Sequence, residues 1–369
     1  MKEFRKLAEF LYIGTYHHGI HILEWERASG RFRFVGTATD LKNPSFLAFH
    51  PRHDILYAAD EYATGAQIAA FRLDAATGLL SHENSVETAG TGLCHLAVAP
   101  DGGQLAAACY NSGDVVCVSL DDDGLPLRQT ATFRGQGSGP HPRQTDPHAH
   151  QVIFTPDSKK LVAVDLGLDR LFVFAADGNL SSANPPHAIL PAGEGPRHLL
   201  FSPCGAYAYV LSELANNILC FTWDGDTFAL RQSISVLEPG HDGSAGSAEL
   251  QISPDGRFLY ASVRGPDTIV RFDIAADGSL ARPAWFSAHG KSPRMFIISD
   301  DGTHMFITHQ DSGSVVALGI GPDGTLSAPL AQIAVPNACC VLTRHPRKEP
   351  PCPTSASAKY APSSPPLPA

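Results

Sequence analysis

Residues 250–263 read Leu-Gln-Ile-Ser-Pro-Asp-Gly-Arg-Phe-Leu-Tyr-Ala-Ser-Val, two hydrophobic runs on either side of a Pro-Asp-Gly turn. Short runs rich in β-branched and aromatic residues predict strands, and the turn joins them as an antiparallel hairpin. Related phrases recur seven times, with their turns at positions 51, 100, 156, 203, 254, 300 and 346. Successive turns are between 46 residues (254 to 300) and 56 residues (100 to 156) apart.

This spacing is typical of a propeller blade with four strands. The unit around the turn at 203 is predicted to contain strands over 198–202, 207–213, 218–223 and 228–236. A single sheet of four strands leaves two faces exposed and is only marginally stable, so the blades must bury their faces against one another. The sequence therefore predicts an all-β, seven-bladed β-propeller with four antiparallel strands in each blade.

The two ends of the repeat are incomplete in complementary ways. Residues 11–14 are predicted to form the second strand of a blade whose first strand does not precede them. Residues 338–342 are predicted to form a first strand after which no second strand follows. We expect them to share one blade and close the ring. The predicted organisation is an N-terminal extension over 1–10, a propeller over 11–347, and a Pro/Ser-rich tail over 348–369 that we expect to be disordered.

Composition narrows the class of protein. The formal net charge of −10 argues against a nucleic-acid-binding protein, whose affinity depends on clustered Lys and Arg. We find no signal peptide and no apolar run long enough for a membrane span, so we expect a cytoplasmic protein that does not bind membranes. The eight cysteines show no paired CxxC spacing, and Cys109, Cys117 and Cys220 fall in predicted strands. We expect reduced core cysteines and neither a metal ion nor another cofactor.

Two positions in each predicted blade converge on one edge of the ring. In a meander of antiparallel strands, the start of the first strand lies beside the end of the second. The first-strand starts include Ser45, His95, His148, His150, Arg197, His198, Glu249 and Arg294. The second-strand ends include Glu61, Asn111, Arg170, Glu213, Arg264 and Gln310. Regular alternation along a strand would point His198 to the opposite side from Arg197.

The converging residues include several cations on an acidic chain. They are Arg170, Arg197, Arg264 and Arg294. Arginines and glutamates at strand ends are often merely solvated or paired with each other. Their gathering on neighbouring blades instead favours a pocket for a small substrate that carries a phosphate or carboxylate group.

The sequence also resembles a known family. The motifs that carry the resemblance are Tyr12-Ile13-Gly14-Thr15-Tyr16, Asn43-Pro44-Ser45, Pro147-His148-Ala149-His150, Asp165-Leu166-Gly167, Asp169-Arg170, Gly195-Pro196-Arg197-His198, Ser212-Glu213-Leu214, Ser247-Ala248-Glu249, Ser262-Val263-Arg264-Gly265 and Ser292-Pro293-Arg294. With these motifs the chain resembles the seven-bladed lactonase family, which includes bacterial 6-phosphogluconolactonases of the propeller type and fungal carboxymuconate cyclases. The resemblance covers residues 11 to about 342.

The resemblance implies an enzyme that hydrolyses a sugar lactone, most simply 6-phosphogluconolactone to 6-phosphogluconate. It places the catalytic residues at His150, Arg197, Glu213 and Arg264. The residues expected to bind substrate are His148, Arg170, His198, Glu249, Arg294 and Gln310.

The expected mechanism requires a base, a group that polarises the lactone carbonyl and an anchor for the anion. We expect His150 or Glu213 to be the base, Arg197 to polarise the carbonyl, and Arg264 with Arg294 to hold the phosphate. One alternative is a cycloisomerase that binds carboxylates with the same arginines. Another is a non-enzymatic propeller that binds a protein, although a charged, His-rich rim is unlike the apolar anchors of most protein interfaces.

Overall fold

The computed structural model describes residues 9–180 and 186–344, which contain 28 strands in seven antiparallel sheets and no helix. Each sheet has four strands, which confirms the predicted seven-bladed propeller. The seventh repeated turn, at position 346, and the predicted tail over 348–369 lie outside the described residues. Within the described ranges, no helix is long and apolar enough to cross a membrane.

The first half of the chain forms three blades and most of a fourth. Blade 7 contains β1 (Glu9–Thr15), β2 (Ile20–Glu26) and β3 (Arg31–Ala38). Blade 1 contains β4 (Pro44–Phe49), β5 (Ile55–Tyr62), β6 (Gly65–Leu73) and β7 (Leu80–Thr88). Blade 2 contains β8 (Leu93–Val98), β9 (Gln104–Cys109), β10 (Asp114–Leu120) and β11 (Pro126–Arg134). Blade 3 contains β12 (Ala149–Phe154), β13 (Lys160–Asp165), β14 (Arg170–Ala175) and β15 (His187–Ile189).

The second half continues the same order. Blade 4 contains β16 (Pro196–Phe201), β17 (Tyr207–Ser212), β18 (Asn217–Trp223) and β19 (Phe228–Ser235). Blade 5 contains β20 (Gly246–Ile252), β21 (Phe258–Arg264), β22 (Thr268–Ile274) and β23 (Leu280–Ser287). Blade 6 contains β24 (Pro293–Ile298), β25 (His304–His309), β26 (Ser314–Ile320) and β27 (Leu326–Ala334). The last strand, β28 (Ala338–Arg344), is the first strand of blade 7.

The ring closes where the chain ends meet. β28 pairs antiparallel with β1, with Tyr12 opposite Leu342, as the incomplete ends of the repeat predicted. β1 begins at Glu9, so two residues of the predicted N-terminal extension belong to the blade. The first strand of each blade contacts the first strands of both neighbouring blades. In ring order these strands are β4, β8, β12, β16, β20, β24 and β28, and β28 contacts β4 again. These seven strands therefore surround the central axis.

Apolar layers between neighbouring blades form the core. β1 is buried along its whole length, whereas the outermost strand β27 is mostly exposed. This gradient explains why the inner strands read as continuous apolar runs. Cys109, Cys117 and Cys220 are buried in strands, as predicted, and the seven cysteines of the described residues are all free thiols.

Tyrosines of one blade hold a turn of the next blade. The phenols of Tyr12, Tyr57, Tyr209 and Tyr260 donate hydrogen bonds to the carbonyls of Gly78, Gly124, Gly278 and Gly324. Each acceptor glycine has a positive φ in the turn between the third and fourth strands of its blade. The repeated contact fixes the angle between neighbouring blades at four of the seven interfaces.

A β-bulge interrupts the first strand of every blade. In the pairing of first and second strands, the register skips Ser45, Cys94, His150, Arg197, Ala248 with Glu249, Arg294 and Cys339. A bulge leaves the extra residue outside the ladder and redirects its side chain. The seven bulges occur at one edge of the ring, and they place side chains from all blades around the axis.

Candidate active site

Glu213, the residue after β17, is a buried carboxylate with three guanidiniums around it. Its Oε1 lies 2.8 Å from Arg143 Nη1 and 3.2 Å from Arg264 Nη2. Its Oε2 lies 3.1 Å from Arg197 Nε, although that N–H is not aligned for a hydrogen bond. Burial raises the pKa of Glu213, but Arg264, Arg197 and Arg143 outweigh this effect and hold the pKa at about 2. The carboxylate is therefore ionised at neutral pH.

His150, the bulged residue of β12, is the neighbour of Glu213 in blade 3. Its Nε2 lies 3.8 Å from Glu213 Oε2, and its Nδ1 is buried without a hydrogen-bond partner among the described residues. Burial, together with the positive charge of Arg197, lowers the pKa of His150 well below its usual value. The imidazole is therefore neutral and can accept a proton.

A second acidic group lies deeper in the ring. Glu249 Oε2 is 3.3 Å from His198 Nδ1, and burial raises the pKa of Glu249 to about 7, against the opposing charge of Arg197. The His198 ring meets those of His95 and His150 edge to face, with centroids 5.4 and 5.5 Å away. Burial lowers the pKa of all three imidazoles, so this cluster is uncharged.

The bulge of β16 changes one expectation from the sequence. Regular alternation would point His198 away from Arg197, but Arg197 Nη1 lies 3.1 Å from His198 Nε2. The same Nη1 donates to the carbonyl of Ala248 in blade 5. The bulge breaks the alternation, because the register skips Arg197 and leaves His198 in the ladder. Both side chains therefore face the axis.

Arg294 belongs to a separate cluster on blades 6, 7 and 1. Its Nη2 donates to the Tyr16 hydroxyl over 3.1 Å, and Tyr16 in turn donates to Glu61 Oε2 over 2.9 Å. Arg294 lines an axial cavity of about 10 Å³, beside Arg197 and Glu249. A cavity of this size has room for about one water molecule. It is too small for a sugar.

A wider cleft opens at the rim between blades 4, 5 and 6. Its volume is about 530 Å³, within the usual range for small-molecule sites. The charged residues that line it are Arg143, Glu213, Arg264, Asp267, Lys291 and Asp311. His150 and Arg197 are not among the lining residues, so Glu213 separates the cleft, on its Oε1 side, from the buried cluster on its Oε2 side.

The structure brings seven of the ten predicted site residues into these clusters. The seven are His150, Arg197, His198, Glu213, Glu249, Arg264 and Arg294. His148 stands next to them, where it stacks on Tyr110 and its Nδ1 lies 2.7 Å from the Tyr110 carbonyl.

The other two predicted residues lie elsewhere. Arg170 begins β14, the third strand of its blade, where it acts electrostatically on Asp165. Gln310 follows β25, and its backbone N–H donates to the Ser292 carbonyl. Neither residue lines the cleft or the axial cavity. A role for them in substrate binding stays a prediction.

Arg143 is the residue that sequence reasoning missed. It lies in the loop over 135–148, between β11 and β12, where no strand register indicates how far a side chain reaches. Its Nη2 donates to the Tyr110 hydroxyl over 2.8 Å, in addition to the contact with Glu213. The one available signal was an arginine in a long loop beside the His148 motif.

Comparison with known proteins identifies the family of this chain. A model of the family described as lactonase, 7-bladed beta-propeller, matches residues 10–343. This chain belongs to the seven-bladed lactonase family. A 6-phosphogluconolactonase from Bacillus subtilis is 29% identical over 343 residues, which cover 90% of this chain and 98% of that protein. A 6-phosphogluconolactonase from Formosa agariphila is 30% identical over 81% of this chain and 87% of that protein.

A solved structure extends the similarity to three dimensions. The periplasmic gluconolactonase PpgL of Pseudomonas aeruginosa superposes with a TM-score of 0.87 at 28% identity, over 91% of this chain and 99% of that one. The lactonase family matches nearly all of the propeller, which confirms the expectation of a lactonase.

Proposed function

We propose that this lactonase hydrolyses a sugar lactone that carries an anionic group, most simply 6-phosphogluconolactone to 6-phosphogluconate. The observation that carries the proposal is the surplus of positive charge around Glu213, where three guanidiniums surround one ionised carboxylate at the wall of a cleft. Guanidiniums bind phosphate and carboxylate through forked hydrogen bonds. Relatives named 6-phosphogluconolactonase support the same substrate.

His150 is the proposed base. Hydrolysis begins when water attacks the lactone carbonyl carbon and passes a proton, through one bridging water, to the neutral imidazole, which lies behind the cleft wall. Glu213 is a poor base because its pKa is held at about 2. Its Oε2 is instead placed to stabilise the imidazolium that forms at His150, 3.8 Å away. When the bond between carbonyl carbon and ring oxygen breaks, His150 returns the proton to that oxygen.

Arg264 is the proposed partner of the carbonyl oxygen. It lines the cleft, and its Nε and Nη2 donate to the carbonyls of Gly246 and Ser247, so the guanidinium is held in place. No group among the described residues accepts a hydrogen bond from its Nη1, which leaves this donor for the developing oxyanion. Arg197 is buried behind Glu213 and acts through that carboxylate, as a positioning residue.

This assignment modifies the roles expected from the sequence for three arginines, since Arg264 was expected to hold the phosphate and is now assigned to the carbonyl oxygen. Arg197 was expected to polarise the carbonyl, but Arg264 is the arginine of the family set that lines the cleft. Arg294 was expected to hold the phosphate, but it lines the axial cavity and bonds to Tyr16. We propose that Asp267 and Asp311, at the cleft wall, accept hydrogen bonds from sugar hydroxyls.

The test is a rate measurement with freshly prepared 6-phosphogluconolactone near neutral pH. We expect acid release well above the spontaneous rate, and release that stays at the spontaneous rate would overturn the proposed substrate. Ring closure of a carboxymuconate by the same protein would assign it to the cycloisomerases instead. Failure with both substrates would favour the non-enzymatic propeller.

A further inference from the structure

Arg143 reaches from the loop over 135–148, between blades 2 and 3, to Glu213 in blade 4. We propose, on the basis of the lactonase function above, that Arg143 exchanges its contacts with Glu213 and Tyr110 for the anionic group of the substrate. Through this exchange the enzyme prefers phosphorylated sugar lactones to neutral ones. Arg143 is thus a substrate-binding residue supplied by a loop rather than by the blades.

Exposure distinguishes Arg143 from the other two arginines on Glu213. Its side chain is 47% exposed, whereas that of Arg264 is 20% exposed and that of Arg197 is 5% exposed. A ligand that enters the cleft from solvent therefore meets Arg143 without displacing any core group. The exposed guanidinium also retains enough freedom to turn from the protein towards the ligand.

The backbone on which Arg143 stands is fixed. The next residue, Gln144, is fully buried, and its side-chain amide donates to the Leu166 carbonyl and to Asp169 Oδ1, each over 2.8 Å. Gln144 Oε1 accepts from the backbone N–H of His141. Because these contacts hold the loop, the exchange requires movement of the Arg143 side chain alone.

Electrostatics favours the exchange. Arg143 Nη1 and Arg264 Nη2 approach the same oxygen, Glu213 Oε1, so two like charges lie close together. The two guanidiniums share a single carboxylate oxygen, and an incoming phosphate would give Arg143 an anionic partner of its own. When Arg143 leaves, Glu213 still has Arg197 and Arg264 as partners, so no buried charge is abandoned.

The second partner of Arg143 connects the exchange to the proposed base. Tyr110 packs edge-on against His150, with ring centroids 5.5 Å apart, and stacks on His148. The bridge from Tyr110 through Arg143 to Glu213 therefore runs directly beside His150. Arg143 therefore holds the anionic group of the substrate close to the proposed base.

The test compares two substrates in steady state, 6-phosphogluconolactone and the neutral glucono-δ-lactone, for the wild type and Arg143→Met. We expect kcat/KM for the phosphorylated lactone to fall at least about tenfold, mostly through KM, with less than a twofold change for the neutral lactone. Arg143→Lys keeps the positive charge but cannot form the paired hydrogen bonds of a guanidinium. Its kcat/KM for the phosphorylated lactone should lie between those of the wild type and Arg143→Met. Equal loss on both substrates, or no loss on either, would overturn the proposal.

The controls separate binding from folding and from bulk charge. Arg128→Met removes the same charge from the exposed strand β11, outside the cleft lining, and should leave both rates unchanged. Thermal unfolding of each variant checks that the ring is intact.

A binding titration keeps the proposal separate from the lactonase function. If the wild type hydrolyses neither lactone, that function fails, but titration with 6-phosphogluconate still tests Arg143. We expect binding by the wild type and about tenfold weaker binding by Arg143→Met. Equal affinities of the two proteins, or no binding by the wild type, would refute the role of Arg143 independently of catalysis.

Discussion

Arg197 Nε, in the first strand of blade 4, lies 3.1 Å from Oε2 of Glu213, which directly follows the second strand. Arg197 is almost fully buried, and burial lowers its pKa to about 10. A buried guanidinium is tolerated only beside a counter-charge. The pair is therefore needed both for the structure of the rim and for the orientation of the carboxylate that faces the cleft.

Replacement of Glu213 by Gln tests this dependence. The amide keeps the shape of the side chain but removes the charge that three guanidiniums share. We expect the free energy of unfolding in urea to fall by about 3 kcal/mol, the cost typical of breaking a buried ion pair. We expect kcat/KM to fall at least about tenfold, since the imidazolium at His150 would lose its counter-ion. Glu87→Gln, on the exposed strand β7, is the matched control.

Replacement of His150 by Ala tests the proposed base. We expect kcat to fall at least about tenfold, or about 1.4 kcal/mol in the barrier, while the far-ultraviolet circular dichroism spectrum stays that of the wild type. His309→Ala removes another buried imidazole, from β25, which does not line the cleft. If both variants lose the same fraction of kcat, the loss at His150 reflects packing and the assignment of the base is wrong.

Glu249→Gln should change how stability depends on pH. The pKa of Glu249 is about 7 in the folded protein, where burial favours the neutral acid, against 4.5 as the ordinary value. At a pH between 4.5 and about 7, Glu249 keeps its proton in the folded state but has lost it in the unfolded state. The contribution of Glu249 is therefore fully present below about pH 4.5 and is lost as the pH rises to about 7.

The size of this effect is on the order of 3 kcal/mol, from the linkage between pKa and folding. His95, His150 and His198 act in the opposite direction, because burial lowers their pKa, but they are common to both proteins. The measurement is the difference in unfolding free energy between variant and wild type from pH 4.5 to 7. A difference that does not change with pH would show that Glu249 has the same pKa in the folded and unfolded states.

The repeat and the closure of the ring were predictable because they follow from local patterns. The turn around Pro254 and the strand Thr268–Ile274 are signalled by residues within a few positions of each other. The incomplete repeats at the two ends could be assigned to one blade because one lacks a first strand and the other consists of a first strand alone. Limits such as that of β1, which begins at Glu9, were less accurate because strand ends carry weak sequence signals.

The site was only partly predictable. Strand register placed Glu213 and Arg264 at the correct edge, but it gave no sign of the bulges that turn Arg197 and His198 towards the same axis. Nor did it place Arg143, whose position depends on the buried amide of Gln144 and not on a strand. Bulges and loop anchors are tertiary features, and their partners are far away in the sequence.

The turn glycines between blades provide a last prediction, on stability. Gly278 has a φ of +77°, and a Cβ added there would lie 2.4 Å from Tyr207 Cγ. Its carbonyl also accepts the hydrogen bond from Tyr209 of the preceding blade. We expect Gly278→Ala to lower the free energy of unfolding by roughly 2–3 kcal/mol, from backbone strain and displacement of the turn.

Gly225→Ala is the control that separates these two causes. Gly225 also has a positive φ, of +103°, but no heavy atom lies within 4 Å of its added Cβ. It should cost about 1 kcal/mol, from backbone strain alone. Urea unfolding of both variants gives the comparison. An equal loss in the two would mean that the contact with Tyr207 and the link between blades 4 and 5 add nothing to the stability of the ring.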